Sequence, residues 1–383
     1  MIPGMSEFPT FGNRPRARDL GITIGTLRTG EHNALTDVRG VRVGHSTIIQ
    51  GKGALVPNEG PIRTGVTAIL PHAGDLFLEK VTGAVVRING FGEVTNTQQV
   101  DEMGVLEGPL LITNTMNVPR VADAVMDWAF DHSAAMGITT WGISPIVTET
   151  SDSYLNDIRG RHVTKAHVYE AIENAREGIV TEGAVGGGTG MVCYEFKGGI
   201  GTSSRVLPDE LGRYTVGVLV QSNFGSRRKL RIDGVPVGRE LIDYDERIKR
   251  DSQGSVIVVI ATDAPMTSRQ LKRLGTRATF GLARTGTQGG NTSGDFAIAF
   301  STTRNRPHHS TSHTLTLDQV VEDTQLINTL FDAVVEATEE AVLNSLFKAE
   351  TMIGRDNRVI YALPIQETVE IMNRYGHSQV HLP

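Results

Sequence analysis

The chain has 383 residues, of which 39% are hydrophobic and 21% are charged, which is typical of a folded protein with one large or two ordinary domains. A net charge of −6 with scattered basic residues argues against nucleic-acid binding and against a polybasic membrane-binding patch. No run approaches the roughly 20 apolar residues of a membrane span, and Met1–Arg18 lacks the apolar segment of a signal peptide. We therefore expect a soluble cytoplasmic protein.

Short apolar runs rich in β-branched residues alternate with helical patterns along the chain. The runs that predict strands are Ala84–Ile88, Pro109–Thr113, Gly137–Val147, Met191–Phe196, Thr215–Gln221, Ser255–Ala261 and Phe296–Phe300. The patterns that predict helices are Val118–Ala135, Thr164–Glu177, Pro265–Thr285 and about Asp318–Glu350. Several strands are apolar on both faces, so we expect them to be covered on both sides. The alternation is too irregular for a barrel.

Residues 289–295 read Gly-Gly-Asn-Thr-Ser-Gly-Asp and lead directly into the apolar run Phe296–Phe300. A hydroxyl residue in such a turn can attack the preceding carbonyl and cleave its own backbone. Ser293 would then be a new N-terminus with a nucleophilic hydroxyl and an α-amine, whose pKa of about 7.7 to 8.0 leaves a neutral fraction near pH 7. The same residues are also ordinary turn residues, so this segment alone leaves both interpretations open.

Three other features favour structural interpretations. Cys193, the single cysteine, lies in an apolar run and is expected to be a small buried hydrophobe. Gly186–Gly190 lacks the Gly-Lys-Ser/Thr ending of a phosphate loop and precedes a strand-like run. His308, His309 and His313 follow no established zinc spacing, so we expect a surface loop there, with no bound metal and no other cofactor.

A series of short motifs runs in order along nearly the whole chain. They are Arg16–Gly21, Asn33–Val38, Val43–His45, Asn89–Glu93, Thr113–Thr115, Glu149–Thr150, Tyr154–Asp157, Gly188–Met191, Lys197–Thr202, Val220–Gly225, Ala261–Pro265, Ser293–Asp295 and Ala299–Thr302. In this series the chain resembles the DmpA-like peptidases, which are self-processing β-peptidyl aminopeptidases and L-aminopeptidase/D-esterase-amidases.

The resemblance implies an α/β fold with one domain over residues 1–383. The expected architecture is a four-layer αββα sandwich, similar to the N-terminal-nucleophile hydrolases but differently connected. The resemblance also implies cleavage into a heavy fragment 1–292 and a light fragment 293–383. The cleaved protomers would assemble as a homo-oligomer, such as a tetramer.

By the same resemblance, Ser293 is the nucleophile of both self-cleavage and catalysis. The hydroxyl, oxyanion site and proton acceptor that split the precursor can also acylate and deacylate on substrate. Asn223 would donate its side-chain amide to the developing oxyanion, which typically lowers a barrier by about 3 to 4 kcal/mol. The structural alternative for Asn223 is a turn asparagine at a strand end.

Thr338 and Glu340 match positions where relatives place a hydroxyl or carboxylate and, two residues later, a carboxylate. They would orient the terminal amine of Ser293 and relay its proton. Residues two apart on a helix point about 200 degrees apart, so either both flanks reach the site or only Thr338 contributes. Alternatively, Thr338 donates to the carbonyl of Val334 and Glu340 is a solvated glutamate.

Glu149 is predicted to bind the protonated amine of a small peptide or amide substrate. An enzyme that acts at amino ends needs a fixed negative charge there, and Glu149 follows a rigid apolar run. Tyr154 would line the same pocket. Lys197 has a catalytic counterpart in the related nylon-oligomer hydrolases, although we expect a surface lysine whose amine reaches solvent.

The leading hypothesis is an aminopeptidase or amidohydrolase that forms an acyl-enzyme on Ser293. It would release N-terminal residues from short peptides, amides or esters, with β-peptides and D-residue amides as candidate substrates. Thr292 stands where well-known relatives have glycine or asparagine, so cleavage at Asn291/Thr292 is an alternative to cleavage at Thr292/Ser293. The other two hypotheses are an acyltransferase of the ornithine-acetyltransferase type, whose Ala-Thr-Met-Leu motif is missing, and an unprocessed, non-catalytic oligomer.

Overall fold

The computed structural model describes residues 14–244 and 254–383. The strands are β1 (Arg42–Gln50), β2 (Ile62–Leu70), β3 (Glu79–Gly90), β4 (Val105–Leu106), β5 (Leu110–Asn114), β6 (Ile146–Thr150), β7 (Val192–Cys193), β8 (Phe196–Lys197), β9 (Gly199–Val206), β10 (Thr215–Asn223), β11 (Ser255–Thr262), β12 (Gly294–Pro307), β13 (Met352–Ile353) and β14 (Val359–Ile360). The helices are α1 (Thr97–Met103), α2 (Val118–His132), α3 (Lys165–Glu173), α4 (Val237–Glu240), α5 (Ser268–Arg284), α6 (Gln325–Lys348) and α7 (Ile365–Arg374). The prediction that Met1–Arg18 is not a signal peptide falls mostly outside the described residues.

Two sheets dominate the described part of the chain. One has the strand order β1-β2-β5-β6, and the other has the order β4-β3-β12-β11-β10-β9. Pairing is parallel between β5 and β6 and between β11 and β12, and it is antiparallel elsewhere in these sheets. Strand β12, which follows the predicted nucleophile, therefore lies in the middle of the larger sheet.

The two sheets pack face to face, with a helical layer outside each. Ile112 of the smaller sheet and Ile257 of the larger sheet belong to one apolar cluster between them. Helices α5 and α6 cover the outer face of the larger sheet, and α2 and α3 cover the outer face of the smaller sheet. Strands β2 and β11 are buried along their whole length. The apolar run Ser255–Ala261 predicts this for β11, whereas none of the predicted strands corresponds to β2. The layer order is that of the predicted αββα sandwich.

Several element bounds differ from the sequence prediction. Helix α5 begins at Ser268 because Thr267 caps it, accepting a bond from the Gln270 N–H through its side chain. The predicted strand Gly137–Val147 is mostly turn and irregular backbone, and β6 begins only at Ile146. The run Met191–Phe196 is interrupted by Tyr194 and Glu195, which have positive φ angles of 51° and 62°, so it forms the short hairpin β7–β8.

Two structural expectations agree with the fold. Cys193 is fully buried, and burial raises the pKa of its thiol to about 12. Gly187 belongs to the segment Gly186–Gly190, which we expect not to be a phosphate loop. It lies between strands, and a Cβ there would be 2.6 Å from the carbonyl oxygen of Ile112. Within residues 14–244 and 254–383, no helix combines the length and apolar character that a membrane span requires.

Candidate active site

Ser293 immediately precedes β12 at the end of the larger sheet. Its N–H donates to the carbonyl oxygen of Gly290 at 3.0 Å, which closes a tight turn. Its own carbonyl oxygen accepts from the Phe91 N–H at 3.2 Å, and the residue is only 3% exposed. The peptide between Thr292 and Ser293 therefore lies in a turn at the mouth of a buried strand, the setting that the sequence predicts.

The Ser293 hydroxyl has a carboxylate partner that the sequence interpretation missed. Ser293 Oγ donates to Asp295 Oδ1 at 2.6 Å, and the Val256 N–H donates to the same oxygen at 3.2 Å. Burial raises the pKa of Asp295 to about 6, although these two hydrogen bonds act to lower it. The available signal was the Ser-Gly-Asp motif itself, which places a carboxylate two residues after the hydroxyl.

Asn223 ends β10, two strands away from the nucleophile. It pairs with Ser255 of β11, which in turn pairs with Gly294 of β12, so the three residues lie at one end of the sheet. Asn223 Oδ1 accepts from the Val192 N–H at 2.9 Å, and Nδ2 donates to the Ser151 carbonyl oxygen at 3.0 Å. These bonds fix the orientation of the amide, and Nδ2 carries a second hydrogen that can be donated.

Glu149 belongs to the smaller sheet and reaches the nucleophile region across Gly92. A Cβ at Gly92 would lie 2.9 Å from Glu149 Oε1 and 3.0 Å from the Gly294 Cα, so a glycine is needed for this close approach. Glu149 accepts from the Glu93 N–H at 3.2 Å and from the Thr115 hydroxyl. Burial raises the pKa of Glu149, against the effect of these bonds. The structure thus places this carboxylate beside the residue that follows Ser293.

Lys197 is fully buried, so the expectation of a solvent-reaching lysine is wrong. Its Nζ donates to the carbonyl oxygens of Gly188, Met191 and Gly198 at 3.3, 2.8 and 2.8 Å. The glycine-rich backbone around it brings these carbonyls close enough to replace water. Burial lowers the pKa of Lys197 to about 7. Met191 adjoins the residue that holds the Asn223 amide, so Lys197 supports that turn.

Tyr154 is partly buried against the apolar cluster that contains Leu155 and Val192. The guanidinium of Arg358 lies 4.9 Å from the centre of its ring. Tyr154 therefore packs near the turn that orients Asn223, and its predicted contact with substrate stays a prediction.

Thr338 lies on the flank of α6 that faces α5, where a Cβ at Gly281 would be 2.6 Å from the Thr338 Cβ. Its hydroxyl has no hydrogen-bond partner among the described residues, so the alternative in which it donates to Val334 is wrong. A buried hydroxyl without a partner is costly to stability. The function of the Thr338 hydroxyl should therefore be tested by substitution.

Glu340 points away from that flank and is fully buried, so the expectation of a solvated glutamate is also wrong. It accepts hydrogen bonds from Arg18, Arg205 and Asn33. Burial acts to raise its pKa, but Arg205, Arg18 and Asn33 outweigh burial and hold the pKa below its ordinary value. None of the described bonds joins Thr338 or Glu340 to Ser293, so the proton relay stays a prediction.

Residues 33–360 match the model of a known family, described as Peptidase family S58. The chain belongs to peptidase family S58. The β-peptidyl aminopeptidases BapA of Sphingosinicella xenopeptidilytica and Sphingosinicella microcystinivorans are 44% and 43% identical to it. The matches extend over 372 and 374 residues and cover 94% of this chain and 91% and 92% of the two relatives.

Solved structures resemble this S58 peptidase along its length. A protein from Pyrococcus horikoshii OT3 has a TM-score of 0.90 at 49% identity, covering 94% of this chain and 99% of that chain. The L-aminopeptidase D-Ala-esterase/amidase of Ochrobactrum anthropi has a TM-score of 0.87 at 43% identity, covering 95% and 99%. It is described as a prototype for the serine aminopeptidases and a new variant among the Ntn hydrolase fold. The predicted family, fold and aminopeptidase class are confirmed.

In the described parts of the S58 peptidase, no three His, Cys, Asp or Glu side chains group as metal ligands. His308 packs against the rings of Phe77 and Trp141, with centroid distances of 4.3 and 4.8 Å. His309 and His313 are exposed in the loop after β12, as expected of a surface loop.

Proposed function

We propose that this S58 peptidase cleaves itself between Thr292 and Ser293 and then acts as an aminopeptidase through an acyl-enzyme on Ser293. The observation that carries the proposal is the position of Ser293, buried at the mouth of β12 with its N–H held in a tight turn by Gly290. Cleavage at that position frees an α-amine beside a nucleophilic hydroxyl on one residue.

In this proposal Asn223 binds the carbonyl oxygen of the substrate's first residue, and Glu149 binds the amine of the same residue. The second hydrogen of Asn223 Nδ2 stabilises the oxyanion that forms when Ser293 attacks a carbonyl. The Glu149 carboxylate pairs with the protonated amine of the substrate, next to Gly294. An amine held at one side and a carbonyl at the other restricts attack to the first residue of a substrate, which is aminopeptidase specificity.

The proposed substrates are short peptides, amides or esters with a free amine. The relatives support this choice, because two of them are named β-peptidyl aminopeptidases and another is named an L-aminopeptidase D-Ala-esterase/amidase. β-Peptides and D-residue amides therefore belong in the substrate panel. A homo-oligomer of cleaved protomers and a cytoplasmic location are part of the proposal on the basis of resemblance and composition alone.

The decisive experiment compares purified wild type with Ser293→Ala and Thr292→Ala on denaturing gels, by intact mass and by activity. We expect wild type and Thr292→Ala to yield fragments 1–292 and 293–383, and Ser293→Ala to stay uncut and inactive. If Thr292→Ala alone blocks the cut, the scissile bond is Asn291/Thr292. An uncut wild-type chain with full activity would overturn the proposal.

Acyl transfer is separated from hydrolysis by the fate of the acyl group. An aminoacyl p-nitroanilide is turned over with and without an added amine such as ornithine. We expect the free amino acid as the main product in both cases. Capture of the acyl group by the amine faster than by water would identify a transferase instead.

A further inference from the structure

The proposed self-cleavage needs a proton acceptor that exists before the chain is cut. The α-amine of Ser293 cannot be this base, because in the precursor its nitrogen is the amide nitrogen of the scissile bond. Glu340 is engaged by Arg18 and Arg205, and no described contact joins it to Ser293. The first base must therefore be sought among the groups in contact with the Ser293 hydroxyl.

The geometry points to Asp295 as the general base of self-cleavage, an inference that rests on the proposed function. Ser293 Oγ already donates to Asp295 Oδ1 at 2.6 Å, which is within the range required of a general base. Asp295 touches the reacting oxygen directly. In the sequence analysis Asp295 was only part of a motif, whereas here it acts as a catalytic residue.

The sheet holds the Asp295 carboxylate in place. Val256 and Asp295 are register partners in the parallel pair β11–β12, and the Val256 N–H donates to Oδ1 at 3.2 Å. One residue earlier, the Gly294 N–H donates to Ser255 Oγ at 3.2 Å. Asp295 therefore lies on a central strand of a buried sheet, and the Ser293 hydroxyl is held against it from the turn that immediately precedes this strand.

The surroundings of Asp295 suit a base that works near neutral pH. Burial raises its pKa to about 6, so it remains mostly ionised at pH 7 and is more basic than an exposed aspartate. Among the described residues, the groups that contact Asp295 are uncharged: the Ser293 hydroxyl, Val256 on β11, Asn89 on β3, which is the register partner of Asp295, and the backbone at Gly289.

The step can be written with all atoms accounted for. Asp295 takes the Oγ proton as Ser293 Oγ bonds to the carbonyl carbon of Thr292. The C–N bond then breaks, and the proton passes to the Ser293 nitrogen, which becomes a neutral amine. Water hydrolyses the resulting ester, leaving a carboxylic acid on Thr292 and returning the hydroxyl hydrogen to Ser293.

The test follows self-cleavage of freshly synthesised full-length chain in a cell-free translation with a pulse of labelled amino acid. We expect Asp295→Asn to slow the appearance of fragments by about 100-fold or more, since a positioned base typically contributes that much. The matched control is Asp263→Asn. Asp263 is a partly buried aspartate just beyond the opposite end of β11, and it accepts from the Thr215 N–H at 2.7 Å. The control should cleave at the wild-type rate.

Hydroxylamine identifies the step that the substitution slows, because it cleaves esters faster than water does. If Asp295 is the base for attack by Oγ, little ester forms in Asp295→Asn, and hydroxylamine does not restore fragment formation. Restoration to the wild-type rate would show that the ester forms without this carboxylate, which overturns the inference. Wild-type cleavage in Asp295→Asn without hydroxylamine would overturn it as well.

A second measurement uses the wild-type chain, so it holds even if Asp295→Asn does not fold. The self-cleavage rate should fall about tenfold for each pH unit below about 6 and level off above it. A rate that is constant between pH 5 and pH 8 would contradict the role of Asp295. Failure of the proposed function looks different: the wild-type chain stays uncut at every pH.

Discussion

Arg205 Nη2 lies 2.7 Å from Glu340 Oε2, and both side chains are fully buried. Arg205 also pairs through Nε with Glu336 at 2.9 Å, and Arg18 pairs with Glu340 at 2.8 Å. Strand β9 carries Arg205 and helix α6 carries both glutamates, so these charges join the larger sheet to its outer helix. Glu340, which the family resemblance assigns as a catalytic carboxylate, thus has ion-pair partners that serve the structure.

The first prediction is that Glu340→Gln destabilises the protein strongly. The substitution leaves Arg205 buried beside a neutral amide, and breaking a buried ion pair in this way typically costs about 3 to 5 kcal/mol. Glu240→Gln is the control, because Glu240 pairs with Arg374 on the surface, where ion pairs contribute little. Denaturant unfolding in a Ser293→Ala background, where every chain is uncut, measures the difference.

The pH dependence of this effect has a defined sign. The folded-state pKa of Glu340 is held below its ordinary value of 4.5, so the stability that its charge contributes is present above that value. It is lost as the pH falls through the folded-state pKa. The gap in stability between the parent and Glu340→Gln should therefore be constant from pH 6 to pH 7 and shrink below pH 4.5. A gap that widens in acid would contradict the ion-pair explanation.

The second prediction concerns the buried hydroxyl of Thr338. Thr338→Val should raise the free energy of unfolding by about 1 kcal/mol, because it removes a polar group without a partner and keeps the side-chain shape. Thr368→Val is the matched contrast in helix α7. There the hydroxyl donates to the Pro364 carbonyl oxygen at 2.6 Å, so we expect a loss of about 1 kcal/mol.

The same variant tests the proton relay when it is made in the self-cleaving chain. A stabilised Thr338→Val that still cuts itself and turns over substrate would assign Thr338 to packing against Gly281. A stabilised variant that no longer cuts itself would show that the unpartnered hydroxyl serves the reaction.

The outline of the fold was predictable because buried strands and amphipathic helices leave a clear pattern. Strands β3, β10, β11 and β12 all contain one of the predicted apolar runs. Strand β9, Gly199–Val206, was missed because its glycine, serine and threonine residues give it no apolar run, although it is almost wholly buried. Gly201 is needed on this strand because α6 packs closely: a Cβ at Gly201 would lie 2.0 Å from the Ala341 carbonyl oxygen.

The site was predictable only where motif order carried the information. Ser293 and Glu149 were predicted as site residues from motifs, and the structure brings their segments together across Gly92. The burial of Lys197 and of Glu340 was not predictable, because it depends on carbonyls and arginines supplied by distant parts of the chain. Charged residues are usually exposed, so sequence reasoning places such residues at the surface by default.

The third prediction is that Asn223→Ala lowers both the self-cleavage rate and kcat by about 100- to 1,000-fold, the usual effect of losing an oxyanion donor. KM should change little. Asn344→Ala is the control: Asn344 is also buried, accepts from the Ala17 N–H at 3.1 Å and donates to the Thr202 carbonyl oxygen at 2.9 Å. The Asn344→Ala variant loses the same kinds of hydrogen bond as Asn223→Ala does, but away from Ser293. Equal losses of kcat in both variants would indicate a structural role for Asn223.

The fourth prediction is that Glu149→Gln raises KM for substrates with a free amine by at least tenfold while leaving p-nitroanilides of deaminated acids unaffected. The amide keeps the shape of the side chain but removes the charge that pairs with the amine. Glu93→Gln is the control, because Glu93 is exposed, its hydrogen bond to Glu149 comes from its backbone N–H, and its carboxylate acts on Glu149 only through its charge. Steady-state kinetics on the two substrate classes separate the variants.

The acid side of the pH profile gives the same residue a second test. Burial raises the pKa of Glu149, so its charge is lost at a higher pH than that of an exposed glutamate. For wild type, kcat/KM on amine substrates should therefore decline as the pH is lowered, with its midpoint above 4.5. In Glu149→Gln the part of this decline that Glu149 causes should vanish, because no carboxylate titrates at that position, and only the limb set by the Ser293 α-amine should remain. A variant that keeps the wild-type acid limb would show that another group binds the amine.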